Sequence, residues 1–327
     1  MIVNVIGGSG FIGSRLVNRL LSNGLKAVVL DKVASTNRTV QCNIVNVNDC
    51  KLLSSSLASG SIINLAAEHR DDVTPKTLYD EVNVEGARNV CIAAEVNNIR
   101  TIVFTSSVAV YGFAPLGTDE SGTFSPFNDY GRTKLEAEYV YREWQSRDPE
   151  SRSLVIVRPT VVFGEGNRGN VYNLLKQISA GFFLMVGTGR NLKSMAYVEN
   201  LSAFLEHALS FGPGVHVHNY VDKPDLDMNT LVATVYAALR KTPPKFRLPY
   251  SAALLAGKCL DTLSLLSGRK FPISSIRVKK FCSNTMFNTN VSSTGFVAPV
   301  ELLDAFERTI RYEFVDDNTN KQVFYTE

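Results

Sequence analysis

Short apolar segments and amphipathic segments alternate along the first half of the chain. The apolar segments are four to six residues long and rich in β-branched side chains, which is typical of strands buried in a parallel sheet. The pattern predicts strands at residues 2–6, 27–30, 40–45, 61–65, 101–106 and 154–158, with helices at 14–21, 49–57, 75–97 and 128–145. Such alternation requires right-handed crossovers and a parallel sheet covered by helices on both faces.

The alternation becomes less regular after residue 164. Two polar stretches containing glycine are predicted as loops, and the remaining elements are helices at 171–179, 197–209, 232–240 and 301–311 and a strand at 215–221. We therefore expect an α/β fold in which residues 1–163 form a doubly wound parallel sheet. Residues 164–327 should form mainly a smaller lobe, with about 197–221 returning to the sheet. Ligands of such sheets bind beyond the carboxyl ends of the strands, so the lobe would form a substrate cleft there.

Three regularly spaced glycines follow the first predicted strand. Gly7, Gly10 and Gly13 form a G-x-x-G-x-x-G pattern before the first predicted helix. Gly7 permits a sharp turn, Gly10 lets a pyrophosphate approach the backbone, and Gly13 lets the helix pack closely on the strand. The helix N-terminus presents free N–H groups and the positive end of its dipole. The pattern predicts a dinucleotide site. A βαβ unit that binds no ligand is the less favoured alternative.

An acidic residue ends the second predicted strand. Asp31 stands where a carboxylate bonds the hydroxyls of an adenosine ribose. This carboxylate favours NAD, because it repels a 2′-phosphate. Lys32 follows directly and could offset the repulsion, so NADP stays open.

A tyrosine and a lysine lie one turn apart on the helix predicted at 128–145. Tyr130 and Lys134 share one face at i, i+4 spacing, and Ser107 follows the strand predicted at 101–106. A nearby ammonium is expected to lower the pKa of the tyrosine toward the working pH of a general acid and base. Ser107 could hydrogen-bond the same substrate hydroxyl. These three are the candidate catalytic residues, although the Tyr-x-x-x-Lys spacing by itself fits a solvated helix face equally well.

Composition narrows the class of protein. The 327 residues carry a net charge of +3 without a long basic run, so we expect no nucleic-acid partner. Five scattered cysteines, an odd number, fit reduced thiols and a cytoplasmic protein, and no signal peptide is expected. His216 and His218 have no third ligand nearby, so no metal is predicted. Lys258 and Asp261 interrupt the apolar stretch 250–267, which favours a buried or interface helix, with docking on a membrane surface as the alternative.

Several motifs in this chain resemble those of the extended short-chain dehydrogenases/reductases, specifically the NAD-dependent epimerase/dehydratase branch that acts on nucleotide sugars. The resemblance covers almost the whole chain and rests on Gly7-Gly-Ser-Gly-Phe-Ile-Gly13, Asn64-Leu-Ala-Ala67, Asn83-Val-Glu-Gly86, Ser106-Ser-Val-Ala-Val-Tyr-Gly112, Tyr130-x-x-x-Lys134, Arg158-Pro159 and Gly295-Phe296. It implies a Rossmann-type sheet with a smaller C-terminal substrate-binding lobe.

The resemblance also implies roles for individual residues. Ser107, Tyr130 and Lys134 are implied to be catalytic, with Tyr130 as the acid and base and Lys134 also holding the nicotinamide ribose. The implied cofactor-binding residues are Gly7, Gly10, Phe11, Ile12, Gly13, Asp31, Asn43, Ile44, Leu65, Ala66, Ala67, Asn83, Tyr130, Lys134 and Pro159. Substrate contacts are implied for Ser107, and at the diphosphate for Asn170, Lys193 and, less strongly, Arg277.

Three departures from the family pattern affect these expectations. Asn43 replaces an aspartate that often faces adenine in the family. An amide can still accept and donate hydrogen bonds, so the exchange should affect adenine binding only modestly. Lys193 replaces an arginine of the family pattern. The change replaces a guanidinium, which can form two parallel hydrogen bonds with a phosphate, by an ammonium that acts as a single point charge. Ser107 is followed by Val108 and Ala109, without the adjacent acids of the dehydratases. Dehydratase activity is therefore disfavoured.

The resemblance predicts an NAD-dependent 4-epimerase of a UDP-hexose or UDP-N-acetylhexosamine that works through a 4-keto intermediate. The alternative is an NAD(P)H-dependent reductase of a UDP-4-keto-6-deoxy-hexosamine in surface polysaccharide synthesis. A hydroxysteroid-type dehydrogenase is less favoured, because the polar loops Gly164–Asn170 and Gly187–Lys193 suit a diphosphate better than a lipid. A non-catalytic dinucleotide-binding regulator is less favoured, because Tyr130 and Lys134 are both present. Relatives often dimerise through a four-helix bundle, which here would use residues 75–97 and 128–145, so a homodimer is expected.

Overall fold

A computed structural model describes residues 1–70, 72–244, 246–267, 274–317 and 322–325. The strands in this part of the chain are β1 (Ile2–Ile6), β2 (Lys26–Asp31), β3 (Gln41–Ile44), β4 (Ser61–Asn64), β5 (Thr101–Thr105), β6 (Ser153–Pro159), β7 (Val161–Phe163), β8 (Met185–Val186), β9 (Leu192–Tyr197), β10 (Gly214–Tyr220), β11 (Asp222–Asp227) and β12 (Arg247–Leu248). The α-helices are α1 (Phe11–Ser22), α2 (Cys50–Ser56), α3 (Thr77–Tyr79), α4 (Gly86–Val96), α5 (Asp129–Ser146), α6 (Asn170–Ser179), α7 (Val198–His207), α8 (Met228–Ala238), α9 (Tyr250–Ser267), α10 (Ser275–Cys282) and α11 (Leu302–Phe314).

Seven strands form the central sheet, in the order β10-β6-β5-β4-β1-β2-β3. Every pair in it is parallel. The order reverses between β1 and β4, which is the point where open α/β sheets bind their ligands. The predicted doubly wound parallel sheet is confirmed, and β10 joins it beside β6 as the pattern at 215–221 indicated.

Apolar side chains fill both faces of this sheet. One cluster contains Val90 of α4 and Tyr141 and Trp144 of α5. The other contains Leu16 of α1 and Phe204 of α7. Because each face has its own helices and core, the strands are buried on both sides, which explains their continuous apolar sequences.

The helix predicted at 75–97 contains a wider turn. A π-helical segment, Asp80–Glu85, connects α3 to α4. Turns of this kind are frequent at functional sites, and this one carries Asn83, a predicted cofactor residue.

A second, three-stranded sheet has the order β11-β9-β7. Strands β9 and β11 are antiparallel and β7 and β9 are parallel. The sequence analysis placed no strands at 161–163, 192–197 or 222–227, because these segments are short and, in β11, mostly polar (Asp-Lys-Pro-Asp-Leu-Asp). A third core cluster, including Phe163, Leu231 and Phe306, joins this sheet to α6, α8 and α11.

Helices α9 and α10 pack against each other at the surface. Gly257 of α9 lies so close to α10 that a Cβ there would be 2.8 Å from the backbone nitrogen of Ser275. None of the helices in the described part of the chain combines the length and hydrophobicity needed to cross a bilayer.

Candidate active site

The glycine loop lies at the carboxyl end of β1, against the end of β4. A Cβ on Gly7, where φ is +77°, would stand 2.8 Å from the backbone nitrogen of Ala66, and a Cβ on Gly13 would stand 2.3 Å from the carbonyl oxygen of Gly7. Around Gly10 only that same oxygen, at 3.4 Å, lies within 4 Å of a Cβ position. Gly7 and Gly13 therefore close the turn, while Gly10 leaves room for a ligand to approach the start of α1.

Asp31 lies beside this loop. Its carboxylate accepts hydrogen bonds from the backbone N–H groups of Ser9, at 2.9 Å, and Val33, at 3.1 Å. These bonds hold the acid at the edge of the crevice, where it fits the ribose of a dinucleotide. The open cradle at Gly10 and this fixed carboxylate together fit NAD.

The loop after β4 is held by two asparagines. Asn64 accepts a hydrogen bond from the N–H of Ala66, at 3.0 Å. Asn83 is buried, and it exchanges hydrogen bonds with the backbone of Glu68 and donates one to the hydroxyl of Thr133 on α5. Ala66 lies against Gly7, and Asn83 braces this loop against α5.

The predicted adenine side lies at the end of β3. The side-chain amide of Asn43 donates to the carbonyl oxygen of Ser56, at 3.0 Å, so it is tied to the end of α2. Ile44 is exposed and lies opposite Asp31 in the β2–β3 register.

The structure brings the three candidate catalytic residues together beyond the end of β5. Asn128 caps α5 by accepting a hydrogen bond from the N–H of Gly131, at 2.9 Å, which fixes Tyr130 and Lys134 in the first two turns. The Ser107 side chain lies close enough to the Tyr130 phenol to lower the pKa of that group. The Lys134 ammonium donates to the carbonyl oxygen of Thr105, at 2.8 Å.

Burial controls the ionisation of this group. It raises the pKa of Tyr130 to about 12, against a smaller lowering by the hydrogen bond from Ser107. It lowers the pKa of Lys134 to about 7, against a raising by the Glu138 charge. The protein chain thus departs from the expectation that the lysine lowers the tyrosine pKa. Loss of water disfavours both the phenolate and the ammonium, and this effect is the largest at both residues.

A buried ion pair connects α5, the helix that carries Tyr130 and Lys134, to strand β6. Arg158 of β6 donates two hydrogen bonds to Glu138 of α5, at 2.8 and 2.6 Å, and each residue is about 1% exposed. Ser106 donates to the same carboxylate at 2.6 Å, and Arg158 also donates to the hydroxyl of Tyr111 at 2.6 Å. The sequence analysis missed Glu138, although its position four residues after Lys134 on the same face was an available signal.

The segment after Pro159 runs back toward the glycine loop. Phe163 and Phe11 belong to the same core cluster, and a Cβ on Gly164 would stand 3.4 Å from the ring of Phe11. The chain therefore crosses from the end of β6 to the start of α1. Phe11 itself is buried and Ile12 packs partly buried beside it, while Leu65 lies next to the core on the α1 face.

The predicted diphosphate residues lie in the second lobe. Asn170 is the exposed first residue of α6. The ammonium of Lys193, on β9, donates to the carbonyl oxygen of Ser283, at 2.7 Å, and burial lowers its pKa. Arg277 falls within α10, but its side chain lies outside the part of the structure that is described.

The described residues contain no group of three or more histidine, cysteine, aspartate or glutamate side chains arranged to hold a metal ion. His218, one of the two histidines noted in the sequence, is hydrogen-bonded through Nδ1 to the side chain of Asn290, at 2.6 Å.

A parallel sheet with a glycine-lined crevice and a Ser-Tyr-Lys group beyond the end of β5 defines a dinucleotide-dependent oxidoreductase or epimerase of the short-chain dehydrogenase type. The family model of the NAD dependent epimerase/dehydratase family matches residues 3–220. The chain is 49% identical, over 99% of its own length and of the relative's, to the N-acetyl-alpha-D-glucosaminyl-diphospho-ditrans,octacis-undecaprenol 4-epimerase of Escherichia coli O157:H7. The chain therefore belongs to the NAD-dependent epimerase/dehydratase family.

More distant relatives agree with this assignment. The chain is 26% identical to the UDP-glucose 4-epimerase of Vibrio cholerae, over 80% of this chain and 84% of the relative. The NAD complex of the UDP-glucose 4-epimerase of Thermus thermophilus has the same fold, with a TM-score of 0.72, 19% identity and coverage of 95% of this chain and 98% of the other. The predictions of an extended short-chain dehydrogenase fold, of NAD as cofactor and of a sugar 4-epimerase are confirmed.

Proposed function

We propose that this enzyme epimerises C4 of N-acetylglucosamine carried through a diphosphate on a polyprenyl lipid. The observation that carries the proposal is the 49% identity to the undecaprenol-linked 4-epimerase over 99% of both chains. The UDP-glucose 4-epimerase of Vibrio cholerae is 26% identical over a shorter alignment. Both activities act on C4 of a sugar ester of a diphosphate, so the proposal differs from the UDP-sugar expectation only in the group beyond the phosphates.

The residues of the site divide the chemical work. Tyr130 accepts the proton of the C4 hydroxyl, and Ser107 hydrogen-bonds the same oxygen. Tyr130 returns the proton after the 4-keto sugar has rotated to present its opposite face. Bound NAD supplies the hydride acceptor and donor, and its oxidised ring carries a positive charge that favours ionisation of a nearby phenol. Lys134, fixed to the carbonyl oxygen of Thr105, orients the cofactor ribose.

The remaining roles are proposals of the same kind. The crevice between Gly7, Gly10 and Asp31 holds the dinucleotide, and Asn170 and Lys193 lie on the diphosphate side. The boundary between the sheet and the substrate lobe is placed near residue 163, with β10 returning to the sheet.

We also propose a cytoplasmic homodimer formed through α4 and α5. Three apolar side chains are exposed on these adjacent helices, Ile92 and Val96 on α4 and Tyr139 on α5. Ile92 and Val96 are four residues apart and therefore share a helix face. A second copy would cover them.

The test of the function is a comparison of two substrates. Purified protein is given N-acetylglucosaminyl diphosphoundecaprenol in detergent micelles or UDP-N-acetylglucosamine in buffer, without added NAD, and the released hexosamines are separated by chromatography. We expect N-acetylgalactosamine from the lipid-linked substrate with the higher kcat/KM. A kcat/KM for the UDP-sugar equal to or above that for the lipid would reject the polyprenyl carrier.

The cofactor crevice is tested by a matched pair of glycine substitutions. Gly7 and Gly24 both have φ of +77°, but a Cβ at Gly24 has nothing within 4 Å. Gly24→Ala should cost about 1 kcal/mol of stability from the left-handed backbone and retain NAD. Gly7→Ala should lose retained NAD, measured in the supernatant of denatured protein, because its Cβ collides with Ala66. Equal NAD content in the two variants would place the cofactor elsewhere.

A further inference from the structure

Helix α9 is organised in the opposite way from an ordinary surface helix. Its inward face carries small side chains, since Ala253 is 3% exposed and Gly257 packs on the backbone of α10. Leu254 and Leu260 are half-buried, but three other large apolar side chains point outward, with Leu255 65%, Leu263 48% and Leu265 86% exposed. At about 100° per residue, Leu263 and Leu265 lie within about 80° of Leu255 on either side. Together with Ile276 of α10, which is 63% exposed, these leucines form what we call the α9–α10 face.

Two more large apolar side chains are exposed in the segments that lead into β8 and β12. Phe182 and Phe246 are 87% and 67% exposed, and they lie near the β8–β12 ribbon from which the chain enters α9. Soluble proteins rarely expose a contiguous group of large apolar side chains without a partner for it.

The charge of the two helices identifies the kind of partner. Helices α9 and α10 contain four basic residues and one acidic residue, a surplus that equals the net charge of +3 of the whole chain. The acidic residue, Asp261, is turned to the inside of the pair, where it accepts a hydrogen bond from the N–H of Ser275 at 3.1 Å. Lys258 and Lys279 are exposed. Apolar side chains interleaved with lysines, without an exposed acid among them, match the interface of an anionic bilayer.

The face also continues into the proposed substrate site. Helix α10 ends at Cys282, and the carbonyl oxygen of the next residue, Ser283, accepts the hydrogen bond from Lys193. Phe281 of α10 packs against Phe183, with ring centroids 5.8 Å apart. A diphosphate bound beside Lys193 would thus lie next to the end of α10, the helix that packs on α9 and carries Ile276.

We propose that the α9–α10 face docks on the surface of an anionic lipid bilayer and sets the substrate site against the membrane that holds the polyprenyl carrier. The inference rests on the proposed function, because only a lipid-linked substrate gives the enzyme a reason to bind a membrane. Bilayer binding by the face is nevertheless measurable without any substrate. The leucines enter the headgroup boundary, and the lysines contact the anionic headgroups.

The test is flotation of the full-length protein with vesicles, without substrate. Vesicles of phosphatidylcholine containing about a quarter phosphatidylglycerol provide the anionic surface, and vesicles of phosphatidylcholine alone provide the neutral one. Wild-type protein should float with the anionic vesicles and more weakly with the neutral ones, and salt should weaken the difference. Leu255→Gln/Leu265→Gln should lower the partition coefficient by about tenfold or more.

A matched control replaces two exposed apolar side chains elsewhere. Val297 and Leu303 are 83% and 44% exposed and lie outside α9 and α10, so Val297→Gln/Leu303→Gln should float like wild type. Lys258→Glu/Lys279→Glu should remove the preference for anionic vesicles. These three double variants should keep their retained NAD, which reports that the fold is intact.

Two results would overturn the inference. One is flotation of Leu255→Gln/Leu265→Gln equal to that of wild type, or no flotation of wild type. The other is a change from dimer to monomer in light scattering caused by the same variant with vesicle binding unchanged, which would make the face an interface between copies. Flotation without epimerisation of the lipid-linked sugar would reject the proposed function alone, and epimerisation without flotation would reject the docking face alone.

Discussion

Helices α5 and α9 have the same length, 18 residues, and opposite organisation. Helix α5 turns Lys134 and Glu138 inward, where they are 3% and 1% exposed. Helix α9 turns Leu255 and Leu265 outward. Burying charged side chains and exposing leucines both cost free energy that an ordinary amphipathic helix avoids. Each arrangement therefore indicates a function. In α5 the buried charges have partners inside the chain, which suits chemistry. In α9 Leu255 and Leu265 are 65% and 86% exposed, which suits an external surface.

The largest expected effect concerns the inward face of α5. Tyr130→Phe removes the phenol oxygen beside Ser107, so turnover should fall by about a thousandfold, within the range for general acid–base groups. Retained NAD should stay at the wild-type level. Turnover and NAD content are measured on the same preparation, and residual activity above about a tenth of wild type would remove Tyr130 from the mechanism.

The buried ion pair should dominate the stability of the same helix. Glu138→Ala leaves Arg158 buried without its carboxylate and should cost about 3–5 kcal/mol in urea unfolding. The control is Glu136→Ala, because Glu136 pairs with Arg132 on the solvent side of α5 at 3.0 Å, with both side chains about two-fifths exposed. That loss should stay below about 1 kcal/mol. Similar costs for both variants would contradict the contrast between the two faces.

The sign of the pH dependence follows from the buried lysine. Burial lowers the pKa of Lys134 from 10.5 to about 7, so between these values the unfolded chain binds the additional proton. The stability of cofactor-free protein should therefore rise with pH above 7 through this group, and be unaffected by it well below pH 7. The measurement is urea unfolding at pH 7 and 8.5, with Lys134→Met as the reference that lacks the effect. If the free energy of unfolding rises between pH 7 and 8.5 no more in wild type than in Lys134→Met, the ammonium of Lys134 stays protonated in the folded protein.

The smallest expected effect concerns the outward face of α9. Leu255→Gln/Leu265→Gln should change the free energy of unfolding by less than about 0.5 kcal/mol, since both side chains already contact solvent. A single buried leucine gives the reference: Leu231 of α8 is 2% exposed, and Leu231→Ala should cost about 2–5 kcal/mol. A loss of that size in the α9 variant would mean that the leucines pack within the fold.

Much of the central sheet was predictable because each strand is a continuous apolar segment. Residues such as Val3, Val5, Ile62 and Ile63 are fully buried in parallel strands, and the helices between them follow their own period. The second sheet was missed, because β7 and β11 are short or polar and are held by pairing with β9, a long-range contact that local patterns do not record.

The motifs predicted that Ser107, Tyr130 and Lys134 would meet, and the fold brings them together, while their catalytic roles stay predictions. The electrostatics of the group were less predictable. Gly7, Ser107, Tyr130 and Lys134 lie where their motifs indicated. The sequence alone could not show how completely water is removed around Tyr130 and Lys134, and that removal sets the direction of both pKa shifts. Arg158 entered only as part of a family motif, and its partner Glu138 was not singled out, because only the fold brings β6 against α5.

The central claim is that the enzyme recognises a sugar diphosphate on a membrane lipid. A competition assay tests it most directly: wild-type protein receives equal concentrations of N-acetylglucosaminyl diphosphoundecaprenol and UDP-N-acetylglucosamine in one mixture with vesicles, and the epimerised sugar is measured in each pool. We expect the N-acetylgalactosamine to appear mainly in the lipid-linked pool. Its appearance mainly in the UDP-linked pool would contradict the account.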